Sequence, residues 1–238
     1  MNRRQILPML GLPLVLTSCV SEQATVRYRV IATVEVDGKR VEGSSVMEIT
    51  YKRATGSLIG MGGATTLYGE ALILDLNGRG TVYVLPTWLQ WTGSLTQAYE
   101  SGILTTLGIK NSIGGLEDAD FQRLKTVSGR MPFKMGAKPN STLPLFVAFR
   151  DEKVPRTIYE VDPNNMGSHF PGVRFISLDI EITDALVTEV LKQRLTWLVS
   201  PYDKIDFERD KPGHVRADRD KPVGYKIVYE HFFGDGSR

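Results

Sequence analysis

The sequence predicts an α+β fold in which an antiparallel β-sheet, built from hairpins, carries about three helices packed on it. Apolar and polar residues alternate strictly over residues 26–36, as is typical of a half-buried strand. The pairs Asp37-Gly38 and Asn77-Gly78, which favour tight hairpin turns, each separate two apolar segments. Between residues 95 and 107, apolar side chains recur at four-residue steps and indicate an amphipathic helix.

Two hairpins account for the first four predicted strands. In the first hairpin, residues 26–36 lead through a tight turn to a returning strand at residues 46–51. In the second, a tight turn joins residues 67–76 to residues 81–85. Residues 67–76 are nearly all apolar, so we expect this strand to be covered on both faces and to lie centrally in the sheet.

Three helices and three more strands complete the predicted domain. The first helix covers residues 95–107. The second covers residues 116–127, with acidic residues early and basic residues late, as the helix dipole favours. The third runs on an apolar stripe from about Asp184 or Thr188 to Leu198. The further strands are predicted at residues 143–149, 173–183 and 224–233.

The first nineteen residues have the pattern of a targeting segment and not of a fold element. Arg3 and Arg4 precede an apolar run over residues 6–16, and Leu-Thr-Ser closes this run directly before Cys19. The run is shorter than a transmembrane helix and is interrupted by two prolines. The predicted organisation is a signal peptide at residues 1–18, a tether at residues 19–24 and a single α+β domain at residues 25–238.

The segment Leu16-Thr17-Ser18-Cys19 resembles the lipobox of bacterial lipoproteins. This resemblance implies that the Cys19 thiol receives a diacylglyceryl group, that the Ser18–Cys19 bond is cut and that the new amine is acylated. Val20 stands where an aspartate would resemble an inner-membrane retention signal, and it therefore favours the outer membrane. A retained anchor, a secretory signal with a coincidental cysteine and twin-arginine export stay open as alternatives.

Composition limits the classes of partner. The chain carries a formal charge of +2, and the signal peptide holds two arginines and no acid, so the mature part is neutral. A neutral protein with interspersed charges has no general attraction for nucleic acid or for an anionic bilayer. No later apolar run reaches spanning length, so we expect contact with the membrane through the N-terminal lipid alone.

The remaining motifs predict no catalytic residue, cofactor or metal. The glycine cluster at residues 59–65 lacks the lysine and the following helix of a phosphate-binding loop, and no Gly-x-Ser-x-Gly elbow occurs. His169, His214 and His231 are not spaced as a helical pair of zinc ligands. Asp162 fits a turn or helix cap better than a calcium loop. A periplasmic hydrolase that uses scattered carboxylates or His169 is the alternative function.

Trp88 and Trp91 are the candidate partner-binding residues. They lie three residues apart and would share one face of a helical turn. They either cover the core, as most such aromatics do, or form an exposed platform for a sugar, peptidoglycan or a partner protein.

Several turn and strand motifs together resemble a group of uncharacterised envelope lipoproteins from alphaproteobacteria. The resemblance implies an envelope lipoprotein and carries over no activity or functional residue. We therefore expect a non-catalytic binding or structural module, anchored at the periplasmic face of the outer membrane, whose partner is another envelope protein or peptidoglycan. The motifs are Glu42-Gly43-Ser44-Ser45-Val46, Gly69-Glu70-Ala71, Phe149-Arg150-Asp151, Val161-Asp162-Pro163-Asn164, Ile182-Thr183-Asp184 and Val187-Thr188.

Overall fold

A computed structural model describes residues 22–53, 64–89, 95–97, 99–109, 116–134, 143–201, 204–207 and 220–236. These residues contain eleven strands and three α-helices. The strands are β1 (Gln23–Val36), β2 (Lys39–Lys52), β3 (Ala64–Tyr68), β4 (Leu72–Asp75), β5 (Thr81–Val84), β6 (Thr87–Leu89), β7 (Leu95–Gln97), β8 (Arg130–Pro132), β9 (Phe146–Phe149), β10 (Ile158–Glu160) and β11 (Val173–Ile182). The helices are α1 (Tyr99–Thr106), α2 (Asp118–Thr126) and α3 (Leu191–Arg194).

The strands form two antiparallel sheets and a small ribbon. The larger sheet has the order β3-β2-β1-β11-β8, and the smaller sheet has the order β10-β9-β5-β4. Strands β6 and β7 pair only with each other. The prediction of antiparallel strands with a few helices is confirmed, whereas the prediction of one sheet is wrong.

Both predicted hairpin turns are present. Asp37 and Gly38 have φ angles of 48° and 79°, and Asn77 and Gly78 have φ angles of 52° and 83°. Positive φ at both central residues is the signature of the type I′ turn, whose twist matches that of the flanking strands. Arg79 donates to both carboxylate oxygens of Asp37, at 3.0 and 2.8 Å, so the two hairpin tips lie side by side.

Gly78→Val is expected to destabilise the fold by about 1 kcal/mol or more, because a β-branched residue resists a positive φ. Nothing lies within 4 Å of a Cβ placed at Gly78, so the effect would be one of backbone conformation and not of collision. Thermal unfolding measures it, with Asn77→Gly as the control that keeps positive φ accessible. Unchanged stability in Gly78→Val would contradict the turn assignment.

The apolar run at residues 67–76 does not form one strand. Its first part ends β3, which pairs with β2 in the larger sheet, and its second part forms β4, which pairs with β5 in the smaller sheet. The chain leaves one sheet and enters the other at Gly69, Glu70 and Ala71. The run is nearly all apolar because it supplies residues to both core clusters.

The smaller sheet is buried on both faces. Along β5 and the residue after it, Val82 and Val84 belong to the core cluster shared with the larger sheet. Tyr83 and Leu85 belong to a second cluster on the opposite face. Described residues after position 190, among them Leu191, Phe207 and Phe232, pack against that second face.

The helices and the C-terminal segment depart from the predictions in three places. Residues 95–97 form β7, so α1 begins only at Tyr99. The third predicted helix is reduced to α3 and a 3₁₀ turn, Thr196–Val199. The predicted last strand is wrong, because two 3₁₀ turns, Val223–Tyr225 and Tyr229–Phe232, take its place. Helical turns here direct side chains such as Val223 and Phe232 into the second cluster.

The folded domain also begins earlier than predicted. Strand β1 starts at Gln23, and Ala24 is buried in the core although it was assigned to the tether. Helix α2 confirms the second predicted helix, including its acidic first turn and basic last turn.

Candidate binding groove

A groove of about 520 Å³ lies beside α3. It combines apolar residues with one ammonium, one carboxylate, two hydroxyl groups and one aromatic ring. The lining residues are Lys192, Leu198, Val199, Ser200, Pro201, Tyr229 and Glu230.

The walls of the groove come from two segments that are packed on the smaller sheet. Leu191, Leu195 and Leu198 point into the second core cluster, so Lys192 and Val199 are left on the outer side. Val199 is 70% exposed, so its apolar side chain is available for contact.

Aromatic contacts hold the opposite wall. The ring of Tyr229 lies 5.0 Å, centroid to centroid, from the ring of Phe233. The Lys192 ammonium lies 5.2 Å from the centroid of the same Phe233 ring, within the range of a cation–π contact. Phe233 therefore connects the two walls.

Glu70 ties the start of α3 to the crossover between the sheets. Its carboxylate Oε1 accepts hydrogen bonds from the backbone N–H groups of Val190, at 2.5 Å, and Leu191, at 2.8 Å. Its own carbonyl accepts from the Ser45 hydroxyl at 3.0 Å. Because Glu70 is only 4% exposed, these contacts satisfy groups that water would otherwise solvate.

Burial raises the pKa of Glu70 above its ordinary value. The two backbone N–H groups oppose this shift, as does the positive charge of Lys192, whereas the neighbouring Glu189 reinforces it. Ionising a carboxyl group in this position is costly because the group is buried, and the two backbone N–H donors offset part of that cost.

A second set of contacts fixes α3 from its other end. Arg194 donates to both oxygens of Glu152, at 2.7 and 3.0 Å, and to the Thr81 hydroxyl at 2.8 Å. The Trp197 indole N–H donates to the Glu152 carbonyl at 2.8 Å. Burial alone would raise the pKa of Glu152, but hydrogen bonds, above all from Arg194, lower it overall. Both ends of the short helix are thus held by carboxylates.

The lining of the groove mixes charged, aromatic and apolar residues. In the described part of the chain, no group of three or more histidine, cysteine or acidic side chains could hold a metal ion. The groove offers opposite charges and a partly exposed aromatic ring over apolar side chains, which is the chemistry of non-covalent recognition.

The predicted site residues do not meet at this groove. Trp88 is 6% exposed and belongs to the main core, so it does not form an exposed platform. Trp91 and Cys19 lie outside the described residues, as does most of the glycine cluster. His169 is exposed, and its ring lies 5.0 Å from that of Tyr159, away from the groove.

The structure describes two further residues that the sequence analysis considered, Asp162 and His231. The Asp162 carboxylate accepts from the Asn164 backbone N–H at 2.9 Å, which confirms the predicted cap. His231 Nδ1 accepts from the Val228 backbone N–H at 2.9 Å and so supports a turn. His214 lies outside the described residues.

Sequence reasoning missed the groove. Lys192 and Leu198 fall within the third predicted helix, and residues 229 and 230 fall within the predicted last strand, whereas residues 199–201 lie just beyond the predicted helix. One feature of the sequence points to the groove. Val199 is apolar but follows Leu198, the last residue of the predicted apolar stripe.

The chain matches no family model, no curated protein and no solved structure in the comparisons made. None of the helices in the described ranges is long and apolar enough to cross a membrane.

Proposed function

We propose that this chain is a lipid-anchored lipoprotein of the bacterial cell envelope, held at the periplasmic face of the outer membrane. The observation that carries the proposal is the Leu-Thr-Ser-Cys segment, which ends a signal-like leader at Cys19. Cys19 is the only cysteine in the chain, so it is the only thiol that can receive a thioether-linked lipid.

The folded domain acts as a non-catalytic binding module in this proposal, and the groove beside α3 is its contact surface. Val199 offers apolar area, Tyr229 offers a ring, and Lys192 and Glu230 offer opposite charges. Tyrosine and exposed apolar side chains are enriched at protein contacts. The partner is another envelope component, either a protein or peptidoglycan.

Cys19→Ser is expected to abolish membrane attachment. A single acyl chain gives only marginal binding, on the order of 10⁴ M⁻¹, and each further chain adds about 0.8 kcal/mol per buried CH₂ group. The triacylated protein should therefore stay on the membrane, and the serine variant should accumulate as precursor or as released periplasmic protein. Labelled palmitate that enters wild type and Cys19→Ser equally would refute the anchor.

A photo-crosslinking residue placed at Val199 is expected to capture one defined partner in growing cells. The same residue at Lys39, which is exposed at a hairpin tip, serves as the matched control. We expect the adduct at position 199 to fall several-fold in Lys192→Glu, because reversing the charge on one wall should weaken recognition. Equal adducts at positions 199 and 39 would argue against the groove.

A further inference from the structure

We propose that Tyr68, Leu186 and Val190 form a second contact with the bilayer, beside the lipid on Cys19. This inference rests on the proposed lipid anchor. It goes beyond that anchor because it assigns the domain a fixed orientation, with one named surface turned towards the membrane.

The three side chains are strongly exposed although they are large and apolar. Leu186 is 84% exposed, Val190 is 45% exposed and Tyr68 is 42% exposed. Within the described residues, Val199 in the groove is the only other large apolar side chain classed as exposed. Isolated exposed apolar residues are ordinary, but a local group of them marks a contact surface.

Hydrogen bonds bring the three residues to one region of the larger sheet. Residues 183–190, here called the strap, run from the end of β11 to the start of α3. The backbone N–H of Thr188 donates to the Val46 carbonyl at 3.1 Å, and the Val46 N–H donates to the Thr188 hydroxyl at 2.8 Å. Leu186 and Val190 each lie two residues along the chain from Thr188.

Tyr68 lies beside the same part of β2. It pairs with Glu48, two residues along β2 from Val46. The backbone N–H of Val190 donates to the carboxylate of Glu70, and Glu70 is two residues along the chain from Tyr68. The three residues thus lie in the region where the strap meets β2 and β3.

The short tether places this region near the bilayer. Three residues separate Cys19 from Gln23, so the start of β1 lies within about 14 Å of the lipidated residue, given at most 3.6 Å per residue. The strap joins β1 at Arg27, whose carbonyl accepts from the Thr183 N–H at 3.0 Å. Arg27 is four residues, or about 13 Å, along β1 from Gln23. The strap is therefore within reach of the membrane surface when the domain tilts.

Because the lipid already holds the protein at the membrane, even a weak contact between the strap and the bilayer is sufficient to orient the domain. Once the lipid is inserted, docking of the strap is intramolecular and its effective concentration is high. An interfacial tyrosine and a leucine are suited to the boundary between headgroups and acyl chains. Asp184 and Glu189 are also exposed on the strap, so the surface suits zwitterionic lipids better than anionic ones.

Fluorescence quenching in vesicles tests the inference. Lipidated protein carrying Leu186→Cys is labelled at position 186 with a polarity-sensitive fluorophore and reconstituted into phosphatidylcholine vesicles that contain a bilayer-restricted quencher. Lipidated Lys39→Cys, labelled at the hairpin tip, is the control. Lys39 pairs with Val36, which lies thirteen residues along β1 from Gln23, so position 39 is at the end of the hairpin far from the tether. We expect quenching at position 186 to exceed that at position 39 at least threefold.

Two outcomes are separable. Equal quenching at positions 186 and 39 in protein that floats with the vesicles would overturn the bilayer contact and leave the anchor intact. Protein that neither incorporates palmitate nor floats would instead overturn the proposed anchor. A Leu186→Asp substitution in a protein labelled at Val190→Cys provides an independent check, since it should reduce quenching at position 190 if the contact exists.

Discussion

Glu70→Ala is expected to lower the free energy of unfolding by about 3 kcal/mol, because the buried N–H of Leu191 and the partly buried N–H of Val190 would lose their acceptor. Glu70→Gln is expected to be at least as stable as wild type at pH 7, because the amide oxygen still accepts both bonds and no buried charge is left. Urea unfolding measures both changes. Glu189→Gln, a neighbouring exposed acid, is the control and should stay within about 0.5 kcal/mol of wild type.

The pH dependence of stability provides a second measurement on Glu70. Its pKa is raised in the folded protein, so the folded state holds the proton at pH values where the unfolded chain has lost it. The contribution of Glu70 to stability is therefore complete below the unfolded pKa and declines as the pH rises through the folded pKa. Glu70→Gln should remove this decline. Equal losses in Glu70→Ala and Glu70→Gln would show that the carboxylate charge, and not its oxygen, holds α3.

Gly43→Val is expected to cost about 3 kcal/mol or more, because β2 and β4 are in backbone contact at this point. A Cβ at Gly43 would lie 2.9 Å from the Leu74 Cα and would collide with the carbonyl oxygen of Ile73. Backbone atoms cannot move aside as a flexible side chain can, so the two sheets would have to separate.

The neighbouring residue provides a matched control for this substitution. Ser44 is exposed, and successive strand residues alternate between faces, so Ser44→Val adds the same branched side chain on the solvent side. We expect Ser44→Val to change the free energy of unfolding by less than about 0.5 kcal/mol. Chemical denaturation of both variants tests the pair. Similar stabilities for Gly43→Val and Ser44→Val would mean that the sheets do not approach this closely.

Predictions from the sequence succeeded where neighbouring residues dictate the structure. Asp37-Gly38 and Asn77-Gly78 adopt positive φ, as such pairs do in tight turns. Alternation over residues 26–36 places its apolar side in the main core. The Asp162 cap needs only a carboxylate and an N–H two residues later.

Predictions failed where the same apolar pattern suits more than one partner. Residues 67–76 read as one covered strand, but Leu67 pairs with β2 while Leu72 pairs with β5. Near the C-terminus, an apolar run with the composition of a strand forms 3₁₀ turns. An apolar pattern specifies that side chains are buried, but not which surface buries them.

The sequence by itself determined the turns, the long first hairpin, the antiparallel class, helix α2 and the position of the lone cysteine that carries the proposed anchor. These features depend on backbone conformation and periodicity within short stretches of chain. Only the tertiary structure decided that there are two sheets, that Trp88 is core and that a groove opens beside α3. It also placed Glu70 against Val190, 120 residues away in the chain. Such contacts between distant segments depend on how whole sheets pack, and local patterns do not encode this.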